Sequence, residues 1–241
     1  MTANQLMAVA GACAFVLAAR AAVGQTPPLD ATEVVDRFVN TEVEPLTSYG
    51  AWRTLEASAR SMRARLVAWT TLDASGRFRF EIVEEEGSSL IRNRVLRAAL
   101  EAEQAIAASG EGARGALTRD NYTFGPVAQG EDGVIRIGLT PRRSDRLLLT
   151  GTLHLTQDTV DVLRIEGRLV KRPSFWTRRV DVTRTYSRVA GVRVPLRLDS
   201  VASVLVAGTS VFSMVYEYES VNGRPVGGQH ALRTSVEHAG P

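Results

Sequence analysis

Short segments in which apolar and polar residues alternate, separated by turn residues, run through most of the second half of the chain. Segments of this kind predict an antiparallel meander over residues 121–222, and a further hairpin around the turn at 73–76. At 192–199 (VRVPLRLD), for example, Val and Leu alternate with Arg, Pro and Asp. The pattern predicts a sheet with one apolar and one solvent-facing side, and the apolar side needs a cover.

Two amphipathic helices are predicted to supply that cover. The first is expected at 30–44, because Asp30 is a suitable N-cap and apolar residues then recur at helical intervals. The second is expected at 89–108 and to end at Gly110. Its predicted apolar side consists of Ile91, Val95, Ala98, Ala102 and Ile106. Two short helices over such a sheet leave two alternatives, a filled core or a cavity between sheet and helices.

Residues 1–24 have the features of a signal peptide. The apolar run at 6–19 is too short to span a bilayer, and Ala22 and Gly24 supply small residues for cleavage before Gln25. We therefore predict an exported, periplasmic protein with one domain at 25–225 and a flexible tail at 226–241. A buried helix, a membrane anchor and lipidation at Cys13 are the alternatives for the first segment.

Residue types that carry catalysis or bind metals are scarce. One cysteine excludes a disulfide framework and a multi-cysteine metal site, and the three histidines leave little for a metal centre. GxSxG, phosphate-loop and HExxH motifs are absent from the sequence. We interpret 84–86 (EEE) as a solvated charge run and His154 as a surface histidine. We expect no enzyme activity, cofactor or metal; a hydrolase whose site assembles from distant positions is the less favoured alternative.

Positive charge is concentrated in the predicted meander. Residues 133–200 hold 14 basic and 6 acidic side chains, and many arginines on the solvent-facing side are expected to lack acidic neighbours. A solvated face in an arginine-rich chain explains this charge, and contact with anionic lipid head groups is the alternative. Because an exported protein rarely meets nucleic acid, we expect none as a partner.

One stretch of the meander resembles a known family. It contains the strand VLRIEG at 162–167, the segment PSFW at 173–176, a strand ending in Tyr186 and the segment GVRVP at 191–195. Over about 120–222 the chain is similar to exported proteins of the outer-membrane lipoprotein-sorting (LolA-like) superfamily. The resemblance implies an α+β, β-dominated fold, an incomplete antiparallel β-barrel of about eleven strands covered by amphipathic helices around an apolar cavity.

In that family the cavity shelters the acyl chains of lipoproteins or serves as a sensor and binding module. The resemblance therefore implies a monomeric, non-enzymatic periplasmic carrier that holds a lipid or lipoprotein acyl chain, with the two helices as its lid. An envelope protein-interaction or sensor module with a filled core is the alternative, with a cell-envelope protein as partner. The predicted cavity residues are Val180, Val182, Val194, Leu196, Leu198, Phe212, Met214 and Tyr216, with Trp69 and Trp176 at the rim.

Overall fold

The structure, a computed structural model, describes residues 30–130, 132–172, 177–205 and 208–227. The predicted signal peptide with Cys13, the PSFW segment with Trp176, and residues 228–241 of the predicted tail lie outside the described residues. Among the described residues, no helix is long and apolar enough to cross a membrane.

Eleven antiparallel strands form one open sheet. They are β1 (Tyr49–Ala59), β2 (Met62–Leu72), β3 (Phe78–Gly87), β4 (Tyr122–Gln129), β5 (Val134–Pro141), β6 (Leu149–Thr156), β7 (Val162–Leu169), β8 (Thr177–Val189), β9 (Val192–Val204), β10 (Gly208–Val221) and β11 (Arg224–Pro225). Their order is β3-β2-β1-β10-β9-β8-β7-β6-β5-β4, and β11 pairs with β10. Within the described residues β3 and β4 form the two edges and do not pair, so the sheet is not closed. The predicted β-dominated, antiparallel architecture of about eleven strands is confirmed.

The turn between β2 and β3 forms where the sequence predicts it. The Asp73 carboxylate accepts hydrogen bonds from the backbone N–H groups of Ser75 and Arg77, at 3.0 and 3.1 Å. Gly76 has a φ of +79°, in the left-handed region that favours glycine. Local side-chain chemistry therefore fixes this hairpin, as is usual for an Asp-to-Gly turn.

The first helix, α1 (Ala31–Asn40), begins at the predicted N-cap. The Asp30 carboxylate accepts from the backbone N–H of Thr32 at 2.8 Å, and Val34, Val35 and Phe38 are buried. The predicted end at residue 44 is wrong, because the chain becomes extended at Thr41. Within 40–44 only Val43 would continue the apolar repeat, and one side chain holds a further helical turn weakly against the sheet.

The second helix is continuous but changes its pitch. It consists of α2 (Ser89–Ile91), a π-helical segment (Arg92–Arg97) and α3 (Ala98–Ser109), which we call the long helix, and it ends at Gly110 as predicted. Its fully buried residues are Ile91, Leu96 and Leu100. The predicted apolar side is confirmed for Ile91 and for Val95, which packs against the core, but it is wrong farther along, where Ala102 is exposed and Leu100 and Ala107 pack instead. A π turn inserts one extra residue into the helix, so the side chains that follow it are rotated about the helix axis. A regular 3.6-residue period does not predict this rotation.

The apolar side of the sheet packs into two clusters. The first lies under the long helix and joins β1–β3 to one end of β9 and β10, with Leu55, Leu66 and Leu96 at its centre. The second lies between α1 and β4–β7, and includes Phe38 and Ile137. The two helices therefore cover different halves of one sheet.

The solvent-facing arginines have acidic partners, contrary to the expectation from the sequence. On β8 the Arg179 Nε lies 2.5 Å from a carboxylate oxygen of Asp181, and on β9 the Arg197 Nε lies 2.7 Å from that of Asp199. Residues two apart on a strand share a face, so these pairs form within single strands. A count of charges over a segment does not show which side chains pair, although the excess of 14 basic over 6 acidic side chains at 133–200 is unchanged.

Candidate ligand-binding cavity

A cavity of about 630 Å³ lies between α1 and strands β6–β10. Its volume falls within the range of small-molecule sites, about 300–1,000 Å³. The side chains around it are mostly aliphatic or aromatic. They include Phe38, Val39, Val43, Leu117, Leu147, Leu149, Val162, Ile165, Leu169, Val180, Val182, Leu198 and Phe212.

The structure divides the eight predicted wall residues between two places. Those that line the cavity are Val180, Val182, Leu198 and Phe212. Those that belong to the first cluster and do not line the cavity are Val194, Leu196, Met214 and Tyr216, whereas Leu198 and Phe212 pack against this cluster as well. All eight are on the apolar side, as alternation predicts, but β9 and β10 are long enough to pass beneath both helices. Alternation assigns a side chain to a face and does not say how far along the strand a cavity extends.

Trp69 lies on the opposite side of the sheet from the cavity. Its ring centroid is 5.1 Å from that of Trp52, its cross-strand neighbour on β1. The inward positions of β2 are taken by Leu66 and Ala68, both fully buried, so Trp69 must point outward. Its predicted place at the rim is therefore wrong, and Trp176 lies outside the described residues.

Of the two helices, only α1 flanks the cavity, through Phe38 and Val39. The long helix contributes no lining residue and covers the first cluster instead. Three contacts hold α1 in place. The rings of Phe38 and Phe124 on β4 lie 6.0 Å apart, Arg37 donates to the carbonyl oxygen of Asp158, and Asp36 pairs with Arg119. The long helix is therefore not placed to act as a lid over this cavity, and α1 is the remaining candidate.

One polar side chain that lines the cavity, that of Arg184, was not predicted from the sequence. It lies on β8 in line with Val180 and Val182, and its cross-strand neighbours Ile165 and Leu198 also line the cavity. Desolvation acts to lower the pKa of Arg184, but the neighbouring phenol groups of Tyr186 and Tyr216 outweigh it and raise the pKa. The signal was present in the sequence, since positions 180, 182 and 184 have the same parity.

Phenol groups surround this arginine. Burial raises the pKa of Tyr216 to about 12 and also raises the pKa of Tyr122. The Tyr122 hydroxyl accepts a hydrogen bond from the backbone N–H of Leu149 at 3.3 Å. Both phenols are therefore neutral at physiological pH, so neither of them neutralises the positive charge of Arg184.

Two further arginines line the cavity, and each has an acidic partner outside the lining. Arg146 pairs with Glu111 at 2.8 Å, and Arg193 pairs with Asp161 at 2.7 Å. Burial acts to raise the pKa of Asp161, but hydrogen bonds from Arg193 and Arg188 outweigh it and lower the pKa below its ordinary value. The described lining contains three arginines and no aspartate or glutamate.

The two candidates for catalysis have structural partners. His154 is 4% exposed, so its interpretation as a surface histidine is wrong; β6 is an inner strand, and His154 Nε2 lies 2.8 Å from the Glu166 carboxylate. In the 84–86 run, Glu85 pairs with Arg97 of the long helix at 2.8 Å and is not merely solvated. Within the described residues, no group of three or more His, Cys, Asp or Glu side chains is arranged to hold a metal ion.

A second hollow, of about 650 Å³, opens beside the β1–β2 turn. Its lining includes four charged side chains, those of Glu56, Arg63, Arg65 and Glu86. An aliphatic ligand would leave these charges without water, so this hollow is a poorer site for such a ligand than the cavity beside α1.

Comparison with known proteins gives distant structural matches. The chain is similar to a LolA superfamily protein. That structure, NE2245 from Nitrosomonas europaea, is 12% identical, with a TM-score of 0.35 over 78% of this chain and 91% of the other. The superfamily named for this structure is the one that residues 120–222 resemble. A second solved structure, MucB in complex with MucA(peri), is also 12% identical, with a TM-score of 0.20 over 78% of this chain and 94% of the other. No protein-family model and no curated protein sequence matches the chain.

Proposed function

We propose that the protein is a non-enzymatic binding protein of the cell envelope that carries the acyl chain of a lipid or lipoprotein. The observation that supports this most directly is the cavity of about 630 Å³ beside α1, with its largely aliphatic lining. At TM-scores below 0.5 the structural matches say nothing about a ligand. The proposal therefore rests on the residues of this chain.

The energetics fit a reversible carrier. Transfer of each methylene from water into an apolar site contributes roughly 0.8 kcal/mol, so an acyl chain has a driving force on the order of 10 kcal/mol. Binding of that strength requires a route for release. Movement of α1 would provide one, because this helix contacts the sheet through one buried face and a few polar contacts at its ends.

A titration with 1-dodecanol tests the proposal, since this probe has an aliphatic chain and no charge. Calorimetry should show saturable binding to the wild-type protein at one site. Val182→Trp should abolish it, because Val182 is buried and lines the cavity, and the larger side chain would fill that space. Thr183→Trp, on the outward side of the same strand, is the matched control and should bind as the wild type does.

Failure of the wild-type protein to bind dodecanol, despite a native unfolding transition, would contradict the proposal. The envelope protein-interaction module would then be the better interpretation. Its docking should weaken steeply at high ionic strength if charged surfaces carry it, whereas binding of an uncharged chain should not.

A further inference from the structure

We propose that the ligand carries an anionic head group, carboxylate or phosphate, and that Arg184 binds this group inside the cavity. The inference rests on the proposed function and specifies which class of amphiphile the cavity selects.

The position of Arg184 is the first reason. A strand residue on the apolar side of a sheet would ordinarily be hydrophobic, and both cross-strand neighbours of Arg184, Ile165 and Leu198, are. Arg184 is accessible to solvent, and an aliphatic chain that enters the cavity would displace water from its guanidinium. That loss of hydration costs free energy unless an opposite charge compensates it. An anionic ligand head group beside Arg184 would supply that charge.

The absence of a protein counter-ion is the second reason. Among the described residues, no carboxylate lies within ion-pair distance of Arg184, whereas the other two cavity arginines, Arg146 and Arg193, pair with Glu111 and Asp161. Glu103 acts on Arg184 through its charge, but its carboxylate is hydrogen bonded to Arg53. Arg184 is thus the cavity arginine that has no ion-pair partner among the described residues.

The hydrogen-bonding capacity of Arg184 is the third reason. A guanidinium has five N–H donors in a planar fork, which suits two oxygens of a carboxylate or phosphate. The side chain is accessible to solvent, so an entering head group can reach it. The aliphatic residues Val180, Val182 and Phe212 would then surround the chain of the same molecule.

Calorimetric titrations of the full chain with dodecanoate, dodecyl phosphate and 1-dodecanol, each below its aggregation concentration, test this. The wild-type protein should bind at least one of the two anions about tenfold or more tightly than dodecanol, as expected for hydrogen bonds between charged groups. Arg184→Met should reduce that preference to below about threefold and leave dodecanol affinity within about threefold of wild type. Arg179→Met, on the outer face of the same strand, should keep the preference.

Four results would overturn the inference. Equal wild-type affinity for all three probes would refute it and leave the proposed function intact. Loss of dodecanol binding in Arg184→Met would show that Arg184 maintains the cavity structure. Displacement of bound dodecanoate by inorganic phosphate alone, at equal concentration, would show a free-anion site that does not need the chain. If none of the probes binds, the proposed function fails and the inference fails with it.

Discussion

The guanidinium of Arg53 on β1 forms an ion pair with the carboxylate of Glu103 on the long helix, with 2.9 Å between Arg53 Nη2 and Glu103 Oε1. Arg53 is 1% exposed, and the ring centroids of Phe78 and Tyr216 lie 5.0 and 4.5 Å from its central carbon. A buried cation enclosed by rings depends on its carboxylate partner. This pair therefore links the sheet to the helix that covers its first cluster.

Removing the charge of Glu103 should destabilise the protein. Glu103→Gln leaves Arg53 buried without a counter-ion, and we expect the free energy of unfolding to fall by about 2–4 kcal/mol. This range is lower than for a fully buried ion pair, because Glu103 is partly accessible to solvent. Urea denaturation followed by circular dichroism measures this. Glu101→Gln, at an exposed position of the same helix, should change stability by less than about 0.5 kcal/mol. Equal effects of the two substitutions would contradict the role of the pair.

Stability should depend on pH through Asp161. Its pKa is lowered in the folded state, so its contribution is complete above the unfolded-state pKa of about 3.9 and is lost as pH falls through the lower folded-state value. Asp161→Asn should therefore cost about 1–3 kcal/mol at pH 7, and the difference from wild type should shrink below about pH 4. Urea unfolding at pH 7, 5 and 3 measures this. A difference that persists unchanged at pH 3 would argue against the ion pairs with Arg188 and Arg193 as its cause.

Trp69 should be dispensable for ligand binding. Because its ring lies on the outer side of the sheet against Trp52, Trp69→Ala should leave dodecanol affinity within about twofold of wild type. Phe212→Ala, which removes a large ring from the cavity wall, should weaken binding by about tenfold. Calorimetry on both variants decides between the placement in the structure and the rim position that the sequence favours.

Local signals predicted much of the fold. Alternation along β8, β9 and β10 assigned residues such as Val182, Val194 and Met214 to the inward side correctly, because the two-residue period of a strand has few alternatives. Asp30 and Gly110 marked helix ends for equally local reasons, a side-chain cap and a left-handed backbone conformation.

The candidate site was only half predicted, because it depends on contacts between distant residues. Leu198 lines the cavity and Leu196 does not, because of where α1 and the long helix lie over β9. The positions of the two helices in the sequence do not indicate where they lie on the sheet. The π turn within the long helix likewise has no signal in a regular 3.6-residue period. Arg184 was overlooked because a charged residue on an apolar face departs from the pattern used to find that face.

Native mass spectrometry of the protein, purified from the periplasm after expression of the full chain and followed by solvent extraction, shows directly whether it carries an acyl chain. We expect a bound mass that is lost on extraction, that contains an aliphatic chain and that added dodecanoate displaces. Val182→Trp, with its cavity filled, should carry much less of it. A wild-type mass equal to that of the bare protein, with no binding of an added alkyl probe, would contradict the carrier function.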